Sequence, residues 1–110
     1  MRRKFVMMPI FDKQWEAIWL NDDDLKELQE QLLKNPQLGS VVKGTGDLRK
    51  VRFALPRQGK SGSARVVYVD FVVAETLYLI YAYPKNEKDN LTKEECNSIK
   101  KLIKEIERTL

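Results

Sequence analysis

Ala64-Arg65-Val66-Val67-Tyr68-Val69-Asp70-Phe71-Val72-Val73-Ala74-Glu75-Thr76-Leu77-Tyr78-Leu79-Ile80-Tyr81-Ala82-Tyr83 is the stretch that decides the fold. It is rich in Val, Tyr and Phe, whose branched or aromatic side chains fit a pleated, half-buried surface. Ala64 to Val73 carries apolar residues on both faces, which predicts a central strand covered on both sides. Thr76 to Tyr83 repeats the pattern and ends at Pro84. The turn around Asp70 to Thr76 is short, so the two strands should pair as an antiparallel hairpin.

Just upstream, Leu48 to Leu55 alternates, with Val51, Phe53 and Leu55 on one face and Lys50 and Arg52 on the other. The segment Pro56-Arg57-Gln58-Gly59-Lys60-Ser61-Gly62-Ser63 between these strands reads as a polar, basic loop. Gly39, Gly44 and Gly46 mark the stretch before Leu48 as loop. Lys4 to Met8 is short and apolar, and Pro9 closes it as a first strand. Phe11, Trp15, Ile18 and Trp19 then follow at helical spacing, predicting a helix from about Phe11 to Leu20. Asn21-Asp22-Asp23-Asp24 supplies cap residues for a second helix. Its stripe is Leu25, Leu28, Leu32 and Leu33, and Pro36 stops it at Asn35. Phe11, Trp15, Trp19, Leu28 and Leu32 read as core. Downstream, Thr92-Lys93-Glu94-Glu95 forms a capping box. Cys96, Ile99, Leu102, Ile103, Ile106 and Leu110 line one face of the helix it opens. The order β-α-α-β-β-β-α predicts a single α+β domain over 1–110: two N-terminal helices and a C-terminal helix on a mostly antiparallel sheet of about four strands.

Net charge is +4 over 110 residues, and the excess is local. Residues 1–47 hold 7 Lys/Arg and 8 Asp/Glu, 48–85 hold 7 and 2, and 86–110 hold 6 and 6, giving −1, +5 and 0. A local positive field of this kind attracts polyanions. No apolar run approaches the roughly 20 residues that span a bilayer, and no apolar h-region follows Met1-Arg2-Arg3-Lys4. The single Cys96 forms no internal disulfide, which suits a reducing, cytoplasmic setting.

The chain holds no His, and its one Cys lies on an apolar stripe. His-based acid–base catalysis, Cys–His nucleophiles and the usual zinc sets are therefore excluded. No cofactor motif is present. Gly44-Thr45-Gly46 is too short for a nucleotide loop, and Asp22, Asp23 and Asp24 read as helix caps rather than metal ligands. What remains is cationic: Arg49, Lys50, Arg52, Arg57, Lys60 and Arg65, with no acid between Leu48 and Arg65. Lys85, with Tyr83 two positions earlier, reaches the same end of the sheet. Arginine forks match phosphate oxygens, and a lysine can move a proton. Such a cluster could cleave RNA, or serve a non-catalytic RNA- or ribosome-binding module with a basic sheet face. Composition leaves both open.

Three segments carry a resemblance. Gly44-Thr45-Gly46-Asp47-Leu48-Arg49-Lys50-Val51-Arg52 resembles the G-x-G-x-L-R-K-x-R segment of RelE/ParE-superfamily type II toxins, particularly the HigB-like branch. Gly59-Lys60-Ser61-Gly62-Ser63-Ala64-Arg65-Val66-Val67-Tyr68 is similar to that family's basic loop and following strand. Tyr83-Pro84-Lys85-Asn86-Glu87-Lys88 is similar to its Y-x-K-N-E-K segment. The resemblance implies a RelE-like fold and a metal- and cofactor-independent mRNA endonuclease acting in the A site of the small ribosomal subunit. It also implies a HigA/RelB-type antitoxin as partner. By position, Lys50 and Arg52 would bind phosphate or serve as base, and Arg65 would stabilise the scissile phosphate. Arg57 and Lys60 would contact RNA, as would Arg49. Known members carry an Arg and then a Tyr after the last strand. Here residues 86–92 hold neither, which leaves Tyr83 or Lys85 for proton transfer.

Overall fold

The computed structural model describes residues 2–43, 45, 47–54, 63–84 and 90–110. Strand β1 (Lys4–Met7) is followed at once by helix α1 (Pro9–Ala17). Pro9 therefore does more than end a strand: it sits in the first turn of α1, where its missing N–H costs no hydrogen bond. The helix is shorter than its apolar spacing predicted, because Trp19 turns into the left-handed region at φ 64°. Trp19 is consequently not core; it is 81% exposed, whereas Phe11 and Trp15 are buried as expected. Helix α2 (Asp22–Lys34) starts on a reciprocal cap: the Asn21 side chain accepts from the Asp24 N–H, and the Asp24 carboxylate accepts from the Asn21 N–H.

Five strands, one more than expected, form the sheet among the described residues, in the order β1-β5-β4-β3-β2. The addition is β2 (Ser40–Val41), two residues paired antiparallel with β3 (Leu48–Ala54). Strand β4 (Ser63–Phe71) is central, between β3 and β5 (Thr76–Pro84), and both of these pairings are antiparallel. β1 joins β5 in parallel, so the sheet is mixed.

Each face carries its own core. Helices α1 and α2 bury Phe11, Trp15, Leu28 and Leu32 against Val51, Phe53, Val66, Tyr68, Leu77 and Leu79. Helix α3 (Lys93–Thr109) covers the other face, where Ile99 and Ile103 meet Leu48, Val67, Val69, Ile80 and Tyr83. Burial on both faces explains why β4 and β5 read as nearly continuous apolar runs.

The alternation slips once. Val67 pairs with Tyr81 and Tyr68 with Leu79, so Ile80 is an extra residue in β5. Before this bulge, Tyr78 and Ile80 face α3 while Leu77 and Leu79 face α1 and α2. Beyond it the parity reverses: Tyr81 and Tyr83 face α3, and Ala82 faces the other helices. An inserted residue re-aims everything that follows it on its strand.

Two polar ties fix the edges. Arg3 grips Asp70 with two hydrogen bonds, of 2.7 and 3.1 Å, joining the start of the chain to the end of β4. The Tyr68 hydroxyl donates to the Pro36 carbonyl at 2.8 Å and accepts from the Gly39 N–H at 2.9 Å. Gly39 lies so near the sheet that a Cβ there would sit 2.7 Å from the Lys50 carbonyl oxygen. Together these hold the link from α2 to β2 against the strands.

Candidate nucleic-acid interface

Strand pairing places the sequence-derived site residues directly. Arg52 lies opposite Arg65 on β4, and Arg65 lies opposite Tyr83 on β5. Direct cross-strand partners point to the same face, with Cβ atoms about 5 Å apart. Arg52, Arg65 and Tyr83 thus form one row across three strands. The adjacent row on that face is Lys50, Val67 and Tyr81. Ser40 of β2 pairs with Lys50 and extends this row to the sheet edge.

The face is the one that α3 covers: the helix packs over Leu48, Val67, Val69, Ile80 and Tyr83, and the cations lie toward the β3 and β2 side of it. Its N-terminal end borders the cations: Lys50 Nζ donates to Asn90 Oδ1 at 2.9 Å. A groove of about 270 Å³ opens beside them, lined by Leu38, Ser40, Lys50, Val51, Arg52 and Arg65. Lys50 and Arg65 are half-buried and Arg52 is exposed. Like charges placed directly opposite on neighbouring strands destabilise a sheet. A fold that sets Arg52 against Arg65 holds a site whose electrostatics improve when an anion enters.

The remaining expected site residues fall elsewhere. Arg49 lies on the opposite face with Val51 and Phe53, and its guanidinium donates to the Gly39 carbonyl at 2.7 Å. It belongs to the tie that holds the α2–β2 link, apart from the row. Tyr83 shares the row's face but is 3% exposed, within the core under α3. Arg57, Lys60 and Lys85 lie outside the described residues.

Three groups escaped the sequence reading. Tyr81 is half-buried, and its hydroxyl donates to Glu95 Oε2 at 3.1 Å. Asn90 holds Lys50. Glu95 was visible only as the far half of a capping box, a role it does fill, since its Oε1 accepts from the Thr92 N–H at 2.8 Å. Among the described residues no group of three or more His, Cys, Asp or Glu side chains could hold a metal ion. Nor is any of their helices long and apolar enough to cross a membrane.

Chemically, the two rows together offer two guanidinium forks and an ammonium on a rigid strand floor. That set suits a dianionic or pentacoordinate phosphate, because planar forks take two oxygens each and cost little reorganisation.

Comparison with solved structures gives the same fold. The isolated E. coli RelE toxin superposes with a TM-score of 0.54 at 17% identity, over 93% of this chain and 99% of that one. A chain of the intact E. coli RelBE toxin–antitoxin complex matches with a TM-score of 0.54 at 17% identity, over 74% of this chain and 94% of that one. A mutant E. coli RelE in complex with an antitoxin RelBc peptide matches at 0.53 and 19% identity, over 74% and 82%. Residues 8–109 match the family described as the RelE toxin of the RelE/RelB toxin–antitoxin system. With nearly its whole length inside that family's pattern, the chain belongs to the RelE toxin family.

Proposed function

We propose that this RelE-family chain is a ribosome-dependent endoribonuclease that cuts mRNA in the A site. The observation that carries this reading is the row in which Arg52 and Arg65 face one another beside Lys50. Cleavage of RNA requires charge to build up on the phosphate as the 2′-oxygen attacks. Donors preorganised around that charge commonly contribute the largest share of the rate. Arg52 and Arg65 grip the non-bridging oxygens. Lys50, oriented by Asn90, gives a proton to the departing 5′-oxygen. Arg57, Lys60 and Lys85 add positive charge in segments that follow or precede the same strand ends in the chain, and serve as further RNA contacts.

Since the site is shallow and open along the sheet edge, the ribosome supplies the constraint that holds a message in line. An antitoxin of the RelB or HigA type silences the protein, in keeping with the E. coli RelBE complex whose toxin shares the fold. The segments at 44–52, 59–68 and 83–88 favour the HigB branch, and ribosomes place the activity in the cytoplasm. The test is primer extension on ribosomes stalled with a defined A-site codon. Wild-type protein should cut the message, and Arg65→Ala should still cosediment with ribosomes while cutting about 100- to 1000-fold more slowly. Ribosome binding with intact messages would instead support a non-catalytic RNA-binding module.

A further inference from the structure

We propose that the groove between α1, α2 and β1 is a docking site for a cationic, apolar segment of a partner protein, with Trp19 as its anchor. The inference goes beyond RNA cleavage and stands apart from it, because the sheet separates this groove from the cationic row.

The groove holds about 610 Å³. Helix α1 supplies Asp12, Trp15 and Glu16, whose three- and four-residue spacing puts them on one face. The link to α2 supplies Leu20 and Asn21, the start of α2 supplies Asp22 and Leu25, and β1 supplies Met7. Its floor is fixed: Trp15 and Leu20 are buried, and the Trp15 indole N–H donates to the Asn21 carbonyl at 3.1 Å. Met7 and Leu25 are half-buried, so apolar surface remains at the opening, and the three carboxylates are exposed.

Three local features run against stability at this place. Asp12 and Glu16 are like charges one helical turn apart, a destabilising pair. Asp12 and Asp22 each suit the start of their helices, but Glu16 lies in the last turn of α1, where the carbonyl end disfavours a carboxylate and no basic residue compensates. Among the described residues none of the three makes an ion pair. Trp19, the residue before Leu20, keeps a left-handed backbone at φ 64° and is 81% exposed. Backbone strain of this kind gathers at functional sites, and tryptophan is among the side chains most enriched at the energetic centres of protein contacts.

Charge selects the occupant. Residues 9–34 hold 7 Asp/Glu and 3 Lys/Arg, a balance of −4, against +5 over residues 48–85. Such a face repels RNA, and a second copy meeting it about a two-fold axis would set like charges against each other. A segment with lysine or arginine beside leucine-like side chains satisfies the site. Its cations pair with Asp12 and Glu16 and lie over the Trp19 ring, while its apolar side chains cover Met7, Trp15, Leu20 and Leu25.

The experiment uses the whole chain and two synthetic helical peptides of identical leucine spacing, one with lysine and one with glutamate at every other position. Neither contains tryptophan, so emission reports Trp15 and Trp19, the two tryptophans of the chain. The lysine peptide should bind one to one, shift the emission to shorter wavelength and move the backbone amide resonances of residues 12–25. Trp19→Gly and the double variant Asp12→Asn/Glu16→Gln should each weaken this binding about 10-fold or more. All three side chains are exposed, so both variants should fold, and melting curves check this. The glutamate peptide should not bind. Absence of saturable binding, equal binding of the two peptides, equal binding by wild type and both variants, or resonance shifts confined to other surfaces each overturn the proposal. Sedimentation of the chain alone tests the remaining occupant: self-association that Trp19→Gly abolishes would assign the groove to a second copy and overturn it as well.

Discussion

Removing one oxygen, in Tyr68→Phe, should destabilise this fold by about 2 to 4 kcal/mol. The Tyr68 side chain is fully buried, and its hydroxyl serves two backbone groups at once, the Pro36 carbonyl and the Gly39 N–H. Both of those residues are buried as well, so water cannot replace the lost partner without local opening. A buried polar group left unsatisfied costs about 1 to 3 kcal/mol, and two of them, with partial relaxation, give the range stated. Urea denaturation is the assay. The midpoint should fall with an unchanged slope, because the unfolded surface is the same, and the Gly39 amide should exchange faster. Alkali adds a second signature. Burial raises the Tyr68 pKa, with the Gly39 hydrogen bond and Arg49 opposing. The native state then keeps a proton that the unfolded state sheds above about pH 10, so this contribution to stability is present below that pH and is lost as pH rises past it. Tyr68→Phe lacks the contribution. A cost below about 0.5 kcal/mol, with Gly39 still protected, would refute the reasoning.

Arg52→Gln should slow cleavage at least 100-fold while raising stability by up to about 0.5 kcal/mol, since it relieves Arg65 of a like charge directly opposite. The gain should shrink as salt screens the pair, and melting curves at two ionic strengths measure it. Trp19→Gly should stabilise the protein by about 1 kcal/mol, because Trp19 holds a left-handed backbone at φ 64° with little burial to offset it; chemical denaturation measures this.

Period-two alternation made much of the site legible. Lys50 and Arg52 had to share a face, and Arg65 comes beside them once its strand pairs back on β3, as it does. Alternation also sets Arg49 opposite to them, as the structure shows. Other features depend on tertiary context. Strand β2 is two residues long and exists because Tyr68 and Arg49 pin the preceding link to the sheet. The parallel seat of β1 beside β5 leaves no local mark in either segment. Trp19 satisfied the helical spacing yet lies past the point where the chain turns left-handed. The bulge at Ile80 was invisible because large apolar residues occupy both faces of β5, so a slip in parity leaves the pattern looking unchanged. That slip hid Tyr81.

Whether Arg52 and Arg65 grip one phosphate is best tested by a double-mutant cycle on the cleavage rate of ribosome-bound message, using Arg52→Ala, Arg65→Ala and the pair. Groups acting on a single transition state fall together, so the double variant should lose far less than the product of the two single losses. Losses that multiply cleanly would mean that the two arginines work at separate places, against a shared phosphate site on this sheet.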